Sequence, residues 1–304
     1  MSVPSTSEYV CHGVTWSSGQ PRLLLAPAGS GPLVPLEFMD QWLGLRITST
    51  KRHCTGRFRF VDPCRVEPVS CPDQSGAVQN GQCVQCAQED EFRFAHQFHQ
   101  SGHGPPALAR YMSQPHWLYI ATFADGTSKV GTAAEWRKRS RLDEQGALFA
   151  TYLGRSENGR SVRYLEDAVT RHLDVAQSMR GAAKLAALAD LRSLDKARDA
   201  HEHTTRRTFE LLAGLGTDPA LEQWSPPTEG YGLRRPGERV RYPHDLRKGE
   251  HGFHVEACIG SQALARLSET DSMRYVLDLG TLKGRRIALG DFSSPEVAVQ
   301  AALF

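Results

Sequence analysis

Five of the seven cysteines in this chain lie between positions 54 and 86, and this clustering limits what the segment can fold into. The stretch from Lys51 to Asp90 is rich in Gly, Pro and Gln and has little hydrophobic periodicity, which is typical of a segment held by a metal rather than by an apolar core. An odd number of cysteines without a secretory signal also favours free thiols or a metal site over disulfides. The sequence therefore predicts a Cys-rich, zinc-binding segment at 51–113.

The pair Cys83-Val-Gln-Cys86 has the spacing that lets two thiolates bind one ion from a tight turn. For the remaining two ligands we favour Cys54 and Cys71, because turn-forming residues follow each of them. Other side chains compete for these positions: Cys64, His53, His96 and His99. A structural Zn²⁺ suits this donor set better than an iron–sulfur cluster, because the C-x2-C-x2-C run of such clusters is missing.

The charge balance restricts the partners. Lys and Arg number 36 against 34 Asp and Glu, so the formal charge of the 304-residue chain is only +2, and a nucleic-acid partner would have to be met by a local basic patch. The first ten residues lack the basic and apolar parts of a signal peptide, and the longest apolar runs are too short to cross a bilayer. We expect a cytoplasmic protein without a membrane partner.

The distribution of strand and helix signals predicts an α+β fold. Short β-like runs separated by turn residues indicate a small antiparallel sheet in an N-terminal region, 1–50, and strands again in a C-terminal region, 225–304. Between them, 114–215 reads as a core with a helical extension. The predicted N-terminal strands are Tyr9 to Trp16, Arg22 to Ala26 and Trp42 to Thr48.

The core has the clearest pattern, in the order β-β-α-β-α. Asp125-Gly126 is a strong hairpin turn between two β-rich runs, and apolar residues recur at helical spacing after position 160. The predicted elements are strands Trp117 to Phe123 and Thr127 to Gly131, helix Ala133 to Asp143, strand Leu148 to Leu153 and helix Arg160 to Ala176.

The motifs in this core resemble the GIY-YIG nuclease superfamily. Tyr119-Ile-Ala, Lys129-Val-Gly131 and Arg139 follow one another at the spacing of its two strand tripeptides and helix arginine. Together with Arg141-Leu-Asp-Glu-Gln-Gly-Ala147 and the preceding C-x-x-C, they are also similar to an uncharacterised bacterial family with K-V-G and Q-G-A segments. The resemblance covers roughly Cys54 to Leu173.

The resemblance implies metal-dependent cleavage of DNA or RNA phosphodiesters. Tyr119 matches the first tyrosine, Arg139 the arginine that steadies phosphate charge, and Glu166 the carboxylate that would hold one Mg²⁺ or Mn²⁺. Lys129 replaces the second tyrosine and could position a phosphate or act as a base. Further residues are expected to bind substrate: Arg137, Arg141 and Gln145.

Two features leave other functions open. Lys129 stands where a tyrosine is usual, and Asp143 would repel a phosphate. The alternatives are a catalytically inactive nucleic-acid-binding adaptor, and a biosynthetic or modifying enzyme that acts on a small polar substrate through Tyr119, Lys129 and Gln145. The basic run from Arg234 to Lys248 could suit a phosphate backbone, although solvated loop charge is the commoner explanation.

Overall fold

The computed structural model describes residues 7–29, 31–62, 65–95 and 97–297. They form the predicted α+β fold, with two main sheets and one small hairpin sheet. Within these ranges, no helix has the length and apolar character needed to span a membrane.

The strands, in chain order, are β1 (Glu8–Ser17), β2 (Gln20–Pro27), β3 (Val34–Glu37), β4 (Trp42–Ile47), β5 (Arg57–Phe60), β6 (Val66–Val69), β7 (His116–Thr122), β8 (Ser128–Ala134), β9 (Phe149–Ser156), β10 (Glu222–Gln223), β11 (Val240–Arg241), β12 (Glu250–Ile259), β13 (Gln262–Arg266), β14 (Tyr275–Asp278) and β15 (Arg286–Leu289). The helices are α1 (Val84–Glu89), α2 (Phe98–Ser101), α3 (Pro106–Met112), α4 (Lys138–Asp143), α5 (Gly159–Leu173), α6 (Gly181–Ala189), α7 (Asp195–Gly214) and α8 (Tyr231–Arg234).

The larger sheet has nine strands in the order β11-β14-β13-β12-β4-β15-β1-β2-β3. Strand β4 pairs with β12 and β15, and β15 pairs with β1, so the two ends of the chain build one sheet. The predicted regions 1–50 and 225–304 are therefore parts of the same layer rather than separate units. The sequence pattern treats the two regions as separate because strand signals are local. The pairing that joins them connects residues more than 200 positions apart.

The smaller sheet has the order β10-β9-β7-β8 and carries the β-β-α-β-α arrangement in the predicted order. Strand β8 runs on to Ala134, because Ala133 and Ala134 pair with Trp117 and His116 of β7. Helix α4 consequently begins at Lys138, after a 3₁₀ turn over Glu135–Arg137, and not at Ala133 as predicted.

The two faces of the smaller sheet differ. Helices α5 and α7 cover one face, where the apolar residues Leu118, Ile120, Val130, Leu153, Val162, Val169 and Leu212 form a core. The other face carries Tyr119 and Ala121 of β7 and Phe123 just after it, and is packed by Leu142 of α4 and by Trp224. This second face holds the candidate site described below.

The predicted helical extension consists of two helices, α6 and α7. The break falls near Ser193, whose hydroxyl accepts the Asp195 amide at 3.0 Å and so supports the start of a new helix. Leu185, Leu188 and Leu191 are buried, as their spacing predicts, and pack with residues of β12 to β14.

Candidate metal site and cationic cluster

Cys54, Cys71, Cys83 and Cys86 come together in the Cys-rich segment. Their sulfur atoms all lie within 4.8 Å of one another, and the Sγ atoms of Cys71 and Cys83 are 4.0 Å apart. Tetrahedral coordination with Zn–S bonds of about 2.3 Å requires sulfur atoms about 3.8 Å apart. The four cysteines predicted as ligands can therefore hold a metal such as zinc with little rearrangement.

Backbone amides and a glycine turn hold the cysteine side chains in this arrangement. Cys83 is the N-cap of α1, and its Sγ accepts the Cys86 amide at 3.5 Å, while the Cys54 sulfur accepts the amides of Gly56 and Cys83 at 3.3 and 3.1 Å. Gly56 has φ +72°, and a Cβ at this position would lie 1.8 Å from the Val69 carbonyl oxygen, so only glycine fits this turn. Burial raises the pKa of the Cys54 thiol to about 11, so a bound cation would favour its deprotonated form.

The competing ligands lie elsewhere. His53 contacts the Gln74 carbonyl and the Ser49 hydroxyl at 3.0 and 3.2 Å, and His99 contacts Asp167 at 2.9 Å. Cys64 and His96 lie outside the described residues. Four buried or half-buried protein thiols would complete a tetrahedral site, which is the closed arrangement typical of structural metal sites.

The second group of chemically active side chains surrounds Tyr119 in the middle of β7. Tyr119 pairs with Gly131 of β8, and a Cβ on Gly131 would lie 2.5 Å from the tyrosine hydroxyl oxygen. The ring therefore lies across Gly131, which explains why a glycine occupies this strand position. The hydroxyl is fully buried without a hydrogen-bond partner, and burial raises its pKa.

Lys129 and Arg141 supply two positive charges beside Tyr119. The Lys129 ammonium lies 5.8 Å from the centre of the Tyr119 ring, and the Arg141 guanidinium lies close enough to the hydroxyl to oppose the rise of its pKa. Neither cation forms a salt bridge with a described residue, and the polar contact of the Arg141 guanidinium in this cluster is with the Tyr119 hydroxyl. Arg141 as a residue is half-buried.

Glu166 of α5 adds a carboxylate to this site. Its Oε2 accepts a hydrogen bond from Arg163 at 2.6 Å, and the carboxylate is almost fully buried. Tyr119, Lys129, Arg141, Arg163 and Glu166 are hereafter called the cationic cluster, because three cations accompany one acid. Burial, Arg141 and Arg163 lower the pKa of Lys129 to about 8, although Glu166 opposes this shift.

The other predicted site residues lie on or after α4. The side chain of Arg139 is exposed, and its charge acts on Asp143 and Tyr152. The structure therefore does not bring Arg139 into the cationic cluster and brings Arg141 there instead. Arg137 donates to both carboxylate oxygens of Glu144 at 2.7 Å, so this cation is already paired.

Asp143 and Gln145 lie where α4 joins the rest of the protein. Asp143 is buried and accepts a 3.0 Å hydrogen bond from Trp224, and burial raises its pKa to about 6. The Gln145 carbonyl accepts a 2.6 Å hydrogen bond from Lys184 of α6. The Asp143 carboxylate thus has a hydrogen-bond partner within the fold.

Two further residues near the cationic cluster were not predicted from the sequence. Tyr111 of α3 is buried, and its pKa is raised by burial and lowered by Arg137, Arg141 and Arg163. Lys184 has its pKa lowered to about 8 by burial and by the charge of Lys129. Both come from helices outside the β-β-α-β-α unit, and no local motif marks them.

Two other groups of polar residues have internal partners. Arg234 donates to the carbonyls of Ala147 and Leu148 at 2.7 and 2.8 Å, so this part of the basic run binds within the fold. His201 lies between the hydroxyls of Thr122 and Thr151, each 2.9 Å from a ring nitrogen, and burial lowers its pKa to about 4. We assign both a structural role.

The fold and these two sites define an α+β protein with a four-cysteine metal site and a separate buried cationic cluster. The family model described as "Protein of unknown function (DUF2797)" matches residues 44–211, which is more than half of the chain. The chain belongs to this family. Neither the curated proteins nor the solved structures contain a match to the chain. The matched region contains the four cysteines and every member of the cationic cluster.

Proposed function

We propose that the cationic cluster binds a phosphodiester of DNA or RNA and cleaves it with the help of a divalent metal ion. The observation that carries this proposal is that Lys129 and Arg141 lie beside the buried Tyr119 and that neither forms a salt bridge with a described residue. Uncompensated buried cations are costly, and an anionic substrate would remove this cost. A guanidinium presents several donors in a fork that suits phosphate oxygens.

The resemblance to GIY-YIG nucleases supports the same function. Tyr119, Lys129 and Glu166 occupy the matched motif positions, and all three side chains belong to the cationic cluster. We assign the phosphate-binding role to Arg141 rather than to Arg139, because Arg139 is exposed and lies towards Asp143.

The residues of the cluster suggest how the reaction would proceed. Arg163 engages only Oε2 of Glu166, so Oε1 could bind Mg²⁺ or Mn²⁺, which would neutralise charge on the phosphate. An attacking water would form the new P–O bond and pass its proton to the neutral amine form of Lys129, which a pKa of about 8 leaves populated near neutral pH. The ester oxygen would leave and take up a proton from the Tyr119 hydroxyl, which the Lys129 ammonium would reprotonate.

The test is incubation of the purified protein with single- and double-stranded DNA and RNA in Mg²⁺ or Mn²⁺. We expect cleavage that requires added Mg²⁺ or Mn²⁺ and that Glu166→Gln lowers by at least about 100-fold, within the range for loss of a group that acts in the transition state. Glu157→Gln serves as a control, because it removes an exposed carboxylate just before the same helix. Absence of cleavage that depends on Glu166 would refute the catalytic proposal.

A second candidate is nucleic-acid binding without cleavage. It is favoured by the 2.6 Å ion pair between Arg163 and Glu166, because a carboxylate already neutralised by arginine attracts a metal ion less strongly. In that case binding persists in Glu166→Gln and falls steeply with salt concentration, while no metal ion induces cleavage. Binding that does not respond to salt would count against this function as well.

A further inference from the structure

Lys184, in the first turns of α6, approaches the same sheet face from another part of the fold. Its ammonium donates to the Gln145 carbonyl at 2.6 Å and lies 4.6 Å from the centre of the Phe123 ring. The Gln145 contact uses one of the three N–H groups of the ammonium, which leaves donors for a ligand. The residue is only half-buried.

The strand register relates Lys184 to the cationic cluster. Tyr119 and Ala121 of β7 and Phe123, the residue after this strand, alternate and so point to one face, and Lys129 is the cross-strand partner of Ala121. The side chain of Lys129 therefore projects from the sheet beside Ala121, two residues before Phe123. Two residues correspond to about 7 Å along a strand. The two lysine side chains reach neighbouring positions of one face from β8 and from α6.

The charges around Lys184 leave it without a strong acidic partner. Lys129 and Arg141 both disfavour its charged form, and Asp278 favours it. Asp278 accepts hydrogen bonds from the Ser261 hydroxyl at 2.7 Å and the Gly280 amide at 2.9 Å, both through Oδ1, and it does not come within salt-bridge distance of Lys184. Among the described residues, Lys184 forms no salt bridge.

We propose that Lys184 binds a second phosphate group, adjacent to the one held by Arg141 and Lys129, and that the site therefore takes a nucleic-acid strand rather than an isolated phosphodiester. The inference rests on the proposed function, because it adds a contact to the same site. Lys184 is a binding residue in this proposal and takes no part in bond cleavage.

The experiment compares two ligands of the full-length protein in a buffer without added Mg²⁺ or Mn²⁺: a dinucleoside monophosphate with one phosphodiester, and a single-stranded ten-nucleotide oligomer. Lys184→Met should weaken binding of the oligomer about tenfold and reduce the slope of log K against log salt by roughly 0.7, the value for one phosphate contact on a single strand. Binding of the dinucleoside monophosphate should not change. Lys184→Arg should restore most of the affinity for the oligomer.

Lys196→Met is the matched control, because it removes an equal charge from an exposed position on the next helix. If Lys184→Met weakens both ligands equally, or neither, while Arg141→Ala weakens both, the second phosphate contact is refuted and the proposed function stands. If the wild-type protein binds neither ligand, both proposals fail. A purely structural role of Lys184 would lower the melting temperature without changing the salt slope.

Discussion

The four-cysteine site and the cationic cluster are both groups of like side chains gathered under the surface, but they differ in how their polar groups are satisfied. The cysteine sulfurs accept amide hydrogen bonds and surround a position that a single cation would fill. In the cationic cluster, Arg163 has Glu166, whereas Lys129 and Arg141 have no such partner among the described residues. A closed site stabilises its segment, and an incompletely paired one remains available to a ligand.

The largest expected effect comes from opening the cysteine site. Cys86→Ser should lose the bound metal and about 4 kcal/mol or more of unfolding free energy, because the segment would lose the ion that takes the place of an apolar core. Zinc content by plasma mass spectrometry and urea unfolding measure both effects. Cys258→Ala removes a buried thiol outside the site and should keep the metal. Equal zinc content in Cys86→Ser and wild type would contradict the assignment.

In the cationic cluster, we expect removal of a polar group to raise the unfolding free energy rather than to lower it. The Lys129 pKa falls from 10.5 to about 8, so replacement by Met should raise the unfolding free energy at pH 7 by about 3 kcal/mol. Between pH 8 and 10.5 the unfolded chain binds the extra proton, so wild-type stability rises with pH and the difference from Lys129→Met shrinks.

Urea unfolding at several pH values checks this prediction, with the exposed Lys196→Met as a variant expected to change little. A Lys129→Met protein that is less stable than wild type at pH 7 would show that the ammonium has a favourable partner in the fold. The contrast with the cysteine site would then disappear.

The next prediction compares the loss of oligonucleotide affinity when either of two arginines of α4 is replaced. Arg141→Ala should weaken oligonucleotide binding by about 2 kcal/mol, or roughly 30-fold, because it removes a charge-assisted contact in a buried place. Arg139→Ala removes an exposed charge and should cost less than about 0.5 kcal/mol. Fluorescence anisotropy measures both. Equal losses in the two variants would indicate general electrostatic attraction rather than a site at Arg141.

The smallest effect concerns the placement of Tyr119. Gly131→Ala would put a methyl group 2.5 Å from the tyrosine hydroxyl, so the ring must move, at a cost of about 1 to 3 kcal/mol in unfolding free energy. Gly237→Ala is the control, because nothing lies within 4 Å of a Cβ there. Thermal unfolding of both variants tests whether Gly131 supports the cluster. An unchanged melting temperature in Gly131→Ala would show that the ring has room elsewhere.

The sequence by itself determined the features that depend on short-range spacing. The C-x-x-C pair and its turn-flanked partners Cys54 and Cys71 follow from ligand chemistry, and the hairpin at Asp125-Gly126 follows from turn preferences. The α+β class and the order β-β-α-β-α follow from hydrophobic periodicity, because local patterns set the type of each element.

Only the tertiary structure decided which distant residues meet. Arg141 lies beside Tyr119 whereas Arg139 does not, because β8 continues to Ala134 and α4 begins later than its residue preferences suggest. Lys184 reaches Gln145, and β15 joins β1 and β4, through contacts between segments far apart in the chain. Charge and spacing in a sequence specify which groups are available, but the packing of helices on sheets determines which of them remain unpaired and can bind a ligand.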